Sequence, residues 1–143
     1  MTVLTGAGCY VPQVPVIAPQ YGMVKIDISD GQKIYVKRRI TGIGGDHDII
    51  SISPSENACS GPNSVSDYVY PDSIHGTLLY KVENGSLVLY DTVDARNPTI
   101  GHFPIDVIQR QLTTLDYLKM KEHPEEFGLT LLEVPIDETI RCK

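Results

Sequence analysis

Gly42-Ile43-Gly44-Gly45-Asp46-His47-Asp48 is the segment of the sequence richest in groups that can do chemistry. A histidine between two carboxylates can serve as a general base or take a divalent metal, and glycines free the backbone to bring such groups together. Asp46, His47 and Asp48 are therefore the candidate centre of a metal-assisted hydrolase, with His75 and His102 as the recruits for further ligands. The segment fits neither a dinucleotide fingerprint nor a phosphate-binding loop, because no Lys-Ser/Thr follows and no helix opens after it. The plainer reading is a turn between strands whose Asp and His side chains stay in water. Other catalytic signatures are missing. There is no Gly-x-Ser-x-Gly elbow, Cys59 has no neighbouring base, no spacing singles out a carboxylate pair, and no Trp is present to stack on a sugar. The reading leans away from an enzyme, and no cofactor is implied.

A second group is suited to binding. Asp67-Tyr68-Val69-Tyr70-Pro71-Asp72 sets two tyrosines among acids, and tyrosine offers large rigid contact area with a hydroxyl to spare. As a recognition element, Asp67, Tyr68, Tyr70 and Asp72 suit a basic protein surface. The alternative is a short strand in which Val69 and both rings cover the core. Lys33, Lys37, Arg38 and Arg39 form the one cationic group and read as protection of a sheet edge. A net charge of −6 and a pI near 5.1 argue against a nucleic-acid partner, whose affinity comes from clustered Lys and Arg.

The three cysteines are Cys9, Cys59 and Cys142, and their spacing excludes a Cys-x-x-Cys zinc or redox motif. Gly6-Ala7-Gly8-Cys9 resembles the cleavage box of bacterial envelope lipoproteins. The resemblance covers about nine residues and implies a lipid on Cys9, the chain's one route to a membrane, and a location in the bacterial envelope or periplasm. Residues 10–20, with Pro12, Pro15 and Pro19, would then be an extended tether. With Cys9 lipidated, Cys59 and Cys142 remain as a pair closing a loop of about 80 residues, worth ~4 kcal/mol in the chain-entropy model. In a cytoplasmic protein all three would be free thiols.

The elements that must position these groups are short, as 10 prolines and 12 glycines dictate. Val24, Ile26 and Ile28 alternate with polar residues, Ser29-Asp30-Gly31-Gln32 turns, and Ile34 and Val36 resume the alternation, which predicts a hairpin. Lys37-Arg38-Arg39 marks its second strand as an edge. Residues 49–53 predict a third strand, followed by a long polar loop over 54–76 that Cys59 would pin. Asn84-Gly85 between two apolar runs predicts a type I′ hairpin over 77–92, with Val82 opposite Leu87 and Tyr80 opposite Leu89. Its apolar residues on both faces place it inside a sheet. Ile105, Ile108, Leu112, Leu115 and Leu118 recur at helical spacing between Pro104 and Pro124, predicting an amphipathic helix packed on the sheet. Residues 129–136 predict a last strand.

The expected fold is α+β: a mainly antiparallel sheet of about six strands with one amphipathic helix in the C-terminal half. A leader or tether over 1–20 precedes a single domain over 21–143. The leading functional expectation is a non-enzymatic protein-binding module of the envelope, of inhibitor or toxin-immunity type. The metal-assisted hydrolase is one alternative, and a structural or assembly subunit of a phage, secretion system or appendage is another. Oligomeric state is left open.

Overall fold

A computed structural model describes residues 16–71, 76–100 and 102–143. The fold is α+β and mostly antiparallel, but its strands number eight and divide into two four-stranded sheets. The first sheet holds β1 (Val16–Ser29), β2 (Gln32–Ile43), β3 (His47–Ser53) and β4 (Tyr68–Tyr70), in that order. The second holds β5 (Thr77–Glu83), β6 (Ser86–Asp91), β7 (Val107–Gln111) and β8 (Thr130–Glu133), in the order β7-β6-β5-β8. Ile26, Ile34, Val36, Ile50 and Ile52 of the first sheet share one buried cluster with Leu78, Leu87 and Leu89 of the second and with Val134, the residue after β8. The two sheets therefore pack face to face around a single core, in which each strand contributes every second residue.

Both predicted hairpins form. At Asp30-Gly31 and Asn84-Gly85 all four residues have positive φ, the backbone that a two-residue type I′ turn requires. Val82 pairs with Leu87 and Tyr80 with Leu89, and β5 and β6 are the two inner strands of their sheet. β1 begins at Val16 and pairs with β2 from Val16↔Ile43 onward. Residues 16–20 of the stretch read as a tether thus belong to a paired strand, with Pro19 seated in a register shift between Ile17 and Gln20. That is where an edge strand tolerates a residue lacking an N–H.

Two expectations are corrected. β2 lies between β1 and β3 and is not an edge. Its Lys37 is 3% exposed, because the loop after β3 folds back over that face of the sheet. The segment read as one amphipathic helix over 104–122 is divided. Ile105 joins the core, Val107–Gln111 is β7, parallel to β6, and α1 covers only Thr114–Glu122. Thr113 is its N-cap, its hydroxyl accepting from the Asp116 N–H at 3.2 Å.

Strand order explains where α1 goes. β7 and β8 lie at opposite edges of one sheet, and that sheet's inner face is filled by the other. The connection must therefore cross the outer face, and a nine-residue helix spans about 13 Å, close to the width of three strand spacings. Tyr117, Met120, Lys121 and Pro124, at helical spacing, are the half-buried positions, and the Tyr117 hydroxyl hydrogen-bonds Thr77 on β5. Leu115 and Leu118 face the other way.

Candidate interaction surface

The Asp46-His47-Asp48 segment is the turn into β3. Gly42, at φ +95°, has no Cβ to collide with Asp46 and His47, which lie 3.8 Å apart (Oδ1 to Nε2) and are both exposed. His47 and Asp48 are successive strand residues and project to opposite faces. Asp48 is committed to Arg38, whose Nε and Nη2 donate to its two carboxylate oxygens at 3.0 and 2.8 Å. The three groups predicted for a metal do not converge on one point. His75 lies outside the described residues, and His102 is exposed. Among the described residues, His123, Glu125 and Glu126 form the one group of three possible ligands within 4.8 Å of one another. All are exposed, and Glu122 also approaches His123, at 3.7 Å.

The tyrosine element is a structural device. Tyr70 is 5% exposed and belongs to the core, Asp67 is 1% exposed, and Tyr68 packs edge-to-face on Phe103 with ring centroids 4.9 Å apart. Burial pushes the Tyr70 hydroxyl far above its usual range, so it stays protonated. The recognition reading of Asp67, Tyr68 and Tyr70 gives way to the short covering strand, which is β4. Asp72 lies outside the described residues. Asp67 accepts from the Asn63 N–H at 3.0 Å and the Ser66 hydroxyl at 2.9 Å, which folds the loop over β2 and β3.

Beneath that loop, Lys37 Nζ donates to the Asn57 carbonyl and to Ser60 Oγ, both at 2.7 Å. Burial lowers its pKa, with the nearby Asp67 charge acting in the opposite direction. A Cβ at Gly61 would lie 3.1 Å from the Lys37 Cδ and from Ser51 Oγ, so a larger residue there would have to push these side chains aside by a few tenths of an ångström. The four predicted cations thus do different things: Lys37 holds a loop, Arg38 pairs with Asp48, Arg39 is half-buried, and Lys33 is exposed. Cys59, on the same loop, is bonded to Cys142, with Cα atoms 5.5 Å apart. Cys9 lies outside the described residues. Where the C-terminal segment crosses β1, a cleft of about 130 Å³ is lined by Pro19, Tyr21, Ile136 and Arg141, smaller than ordinary ligand pockets.

One described surface that lacks an internal use is the outer side of α1. Leu115 is 76% exposed and Leu118 56% exposed, although the helix has a separate stripe that faces its own sheet. Asp116, Lys119 and Glu122 flank the two leucines, and Glu125 and Glu126 continue the rim past the helix end, so that it is acidic on balance, four carboxylates to one lysine. Lys121 belongs to the inward stripe, with Nζ 5.7 Å from the Tyr117 ring centroid. Sequence periodicity found these leucines but assigned them to the core; the N-cap at Thr113 was the signal for where the helix begins. No protein-family model, curated protein or solved structure matches the chain.

Proposed function

We propose that the protein is a non-enzymatic binding module that docks a basic partner protein on the outer face of α1. The observation that carries this reading is the exposure of Leu115 and Leu118 on a helix whose opposite side already meets the sheet. Two adjacent leucines in water cost solubility, and such apolar patches rimmed by charge mark interaction sites. The acidic rim and the net charge of −6 favour a cationic surface opposite, by steering and by register. The Cys59–Cys142 bond supports an oxidising compartment. With the lipoprotein-like start, it makes the bacterial envelope the preferred location, with Cys9 as the lipid attachment point. Inhibition or toxin immunity is the class of role that suits such a module.

The test is a photoreactive residue at position 118, illuminated in the native host. One discrete adduct, suppressed by Leu115→Asp and by raised salt, is the expected result. No adduct, or a ladder of adducts indifferent to both changes, ends the docking reading. Intact mass of the same protein reports on Cys9 and the thiols together. Processing before Cys9, an added lipid and a protected pair place it in the envelope, whereas an unprocessed chain with three free thiols is cytoplasmic.

A further inference from the structure

Among the described residues, β7 is a terminal strand of its sheet with an open backbone edge. Its register against β6, closed at the two ends by Leu87 N–H to the Asp106 carbonyl (2.9 Å) and Leu112 N–H to the Asp91 carbonyl (2.8 Å), fixes the alternation. In a parallel ladder only every second residue bonds to a given neighbour. Residues 106, 108, 110 and 112 therefore face β6, and Val107, Gln109 and Gln111 turn their N–H and C=O groups outward. Among the described residues no strand lies beyond them.

The other edges are occupied or poor. β4 is closed by Arg96, which exchanges two backbone bonds with Val69 at 2.8 and 3.1 Å. β1 is met by the C-terminal segment, where the Asp137 N–H donates to the Tyr21 carbonyl at 2.8 Å. β8 is four residues long and ends in Glu133. At β7 the inward glutamines are already used: Gln109 bonds both the N–H and the carbonyl of Ala95, and Gln111 bonds the Thr92 carbonyl. The backbone edge is left over.

Apolar and acidic groups gather around that edge, together with two exposed cations, Arg96 and Arg110, the latter interacting with Glu83. Ile108, 36% exposed, projects from β7 on its outer face. Exposed Val93 follows the segment tied to Gln111, and exposed Leu115 begins three residues after Leu112, so both leave the same end of the β6–β7 pair. Asp106 precedes the strand, while Asp94 and Asp116 adjoin Val93 and Leu115.

We propose that the partner is taken up as an added β-strand on β7: an extended peptide segment alternating apolar and basic residues. Its backbone bonds Val107, Gln109 and Gln111, its apolar side chains meet Ile108 and Leu115, and its cations meet the flanking aspartates. The inference rests on the docking reading and gives it a binding mode.

Amide exchange and chemical-shift mapping test it, with a short capped peptide of alternating Lys and Val as probe. A second copy of the peptide is N-methylated at the amides that would face β7. In the isolated protein the Val107, Gln109 and Gln111 amides should exchange at least roughly tenfold faster than Ile108 and Arg110. The plain peptide should shift and protect them, the N-methylated one should not, and Gln111→Pro, which removes an outward N–H, should weaken binding about tenfold or more. Slow exchange of the three amides in the free protein would overturn the proposal, as would no binding at about 1 mM peptide. Shifts confined to Leu115 and Leu118 and indifferent to N-methylation would leave docking on α1 standing and sink strand addition. A concentration-dependent dimer abolished by Gln111→Pro would assign the edge to a second copy of this chain and overturn it as well.

Discussion

The guanidinium of Arg38 holds both carboxylate oxygens of Asp48 on the neighbouring strand while its remaining nitrogen, Nη1, donates to the Val134 carbonyl at 2.9 Å. Asp48 and Arg38 belong to the first sheet, and Val134 continues β8 of the second. One side chain thus stitches the two layers at the mouth of the core. Gly76 makes room for it, since a Cβ there would collide with the guanidinium.

Arg38→Ala should therefore cost about 2–3 kcal/mol, because it strands a half-buried carboxylate and a carbonyl together. Asp48→Asn should cost less. Replacing both partners with Met and Leu should recover part of the loss, since neither charge is then left unpaired. Urea denaturation checks all three. A cost below about 0.5 kcal/mol for Arg38→Ala would class the pair with screened surface ion pairs.

The Cys59–Cys142 bond spans 83 residues and ties the loop over β2 to the chain's end. Cys59→Ser with Cys142→Ser should lower stability by ~4 kcal/mol in the chain-entropy account. Cys59 is two residues from Asn57 and adjacent to Ser60, the two acceptors of Lys37 Nζ. The double variant should therefore also raise the reactivity of Lys37 toward amine-modifying reagents, read by peptide mass mapping. Unchanged Lys37 labelling would show that the lysine and Asp67 hold the loop without the disulfide.

Which parts of this were legible from sequence follows the range of the forces involved. Asn84-Gly85 and Asp30-Gly31 announce their turns because the left-handed backbone is a local demand, met by local residue types. Alternation in 24–28 and 34–36 likewise identified the inward residues, all of them buried or half-buried. The charged run at 37–39 misled because what covers Lys37 comes from residues 55–67, and nothing nearby in sequence announces it. The partition into two sheets was invisible for the same reason. Helical spacing of apolar residues across 105–118 was an accident of three different settings: Ile105 in the core, Ile108 on the outer face of a strand, and Leu115 in water. β-branched Val107 and Ile108 beside the Thr113 cap were the local signs of a strand followed by a helix. Of the candidate site, the tyrosines read as a binding loop were the core side of β4. The helix leucines read as core are the residues that face solvent.

Asp91 gives the fold a pH dependence of defined sign. Burial raises its pKa above the usual carboxylate value, opposed by bonds from the Thr92 N–H at 2.6 Å and the Thr92 hydroxyl at 3.3 Å. The unfolded chain releases this proton first, so the folded state binds more protons between the ordinary carboxylate pKa and the raised one. Stability therefore falls as pH rises through that window, by the linkage relation. Asp91→Asn keeps an acceptor for Thr92 and removes the titration. Its denaturation midpoint should exceed that of the parent at pH 7 and match it near pH 3, where both side chains are neutral. A higher midpoint for the parent at pH 7 would mean that the bonds from Thr92 and Val93 to the carboxylate, with the attraction of Lys121, outweigh burial.

The phase of α1 yields the sharpest contrast. Tyr117 turns toward the sheet, half-buried and bonded to Thr77, whereas Leu115, two residues before it, is in water. Tyr117→Ala should cost roughly 2 kcal/mol, about half the loss of a fully buried aromatic. Leu115→Asp and Leu118→Lys should each stay within about 0.5 kcal/mol of the parent, as surface changes do, despite removing the larger apolar exposure. Leu115→Asp also places a carboxylate in the first turn, where the helix dipole favours it. The amphipathic phase drawn from the spacing of the leucines demands the reverse order: severe loss at 115 and 118, little at 117. Thermal denaturation of the three variants decides between the two phases. An unperturbed melt for Leu115→Asp together with loss of partner capture would separate the binding role of that face from any part in folding.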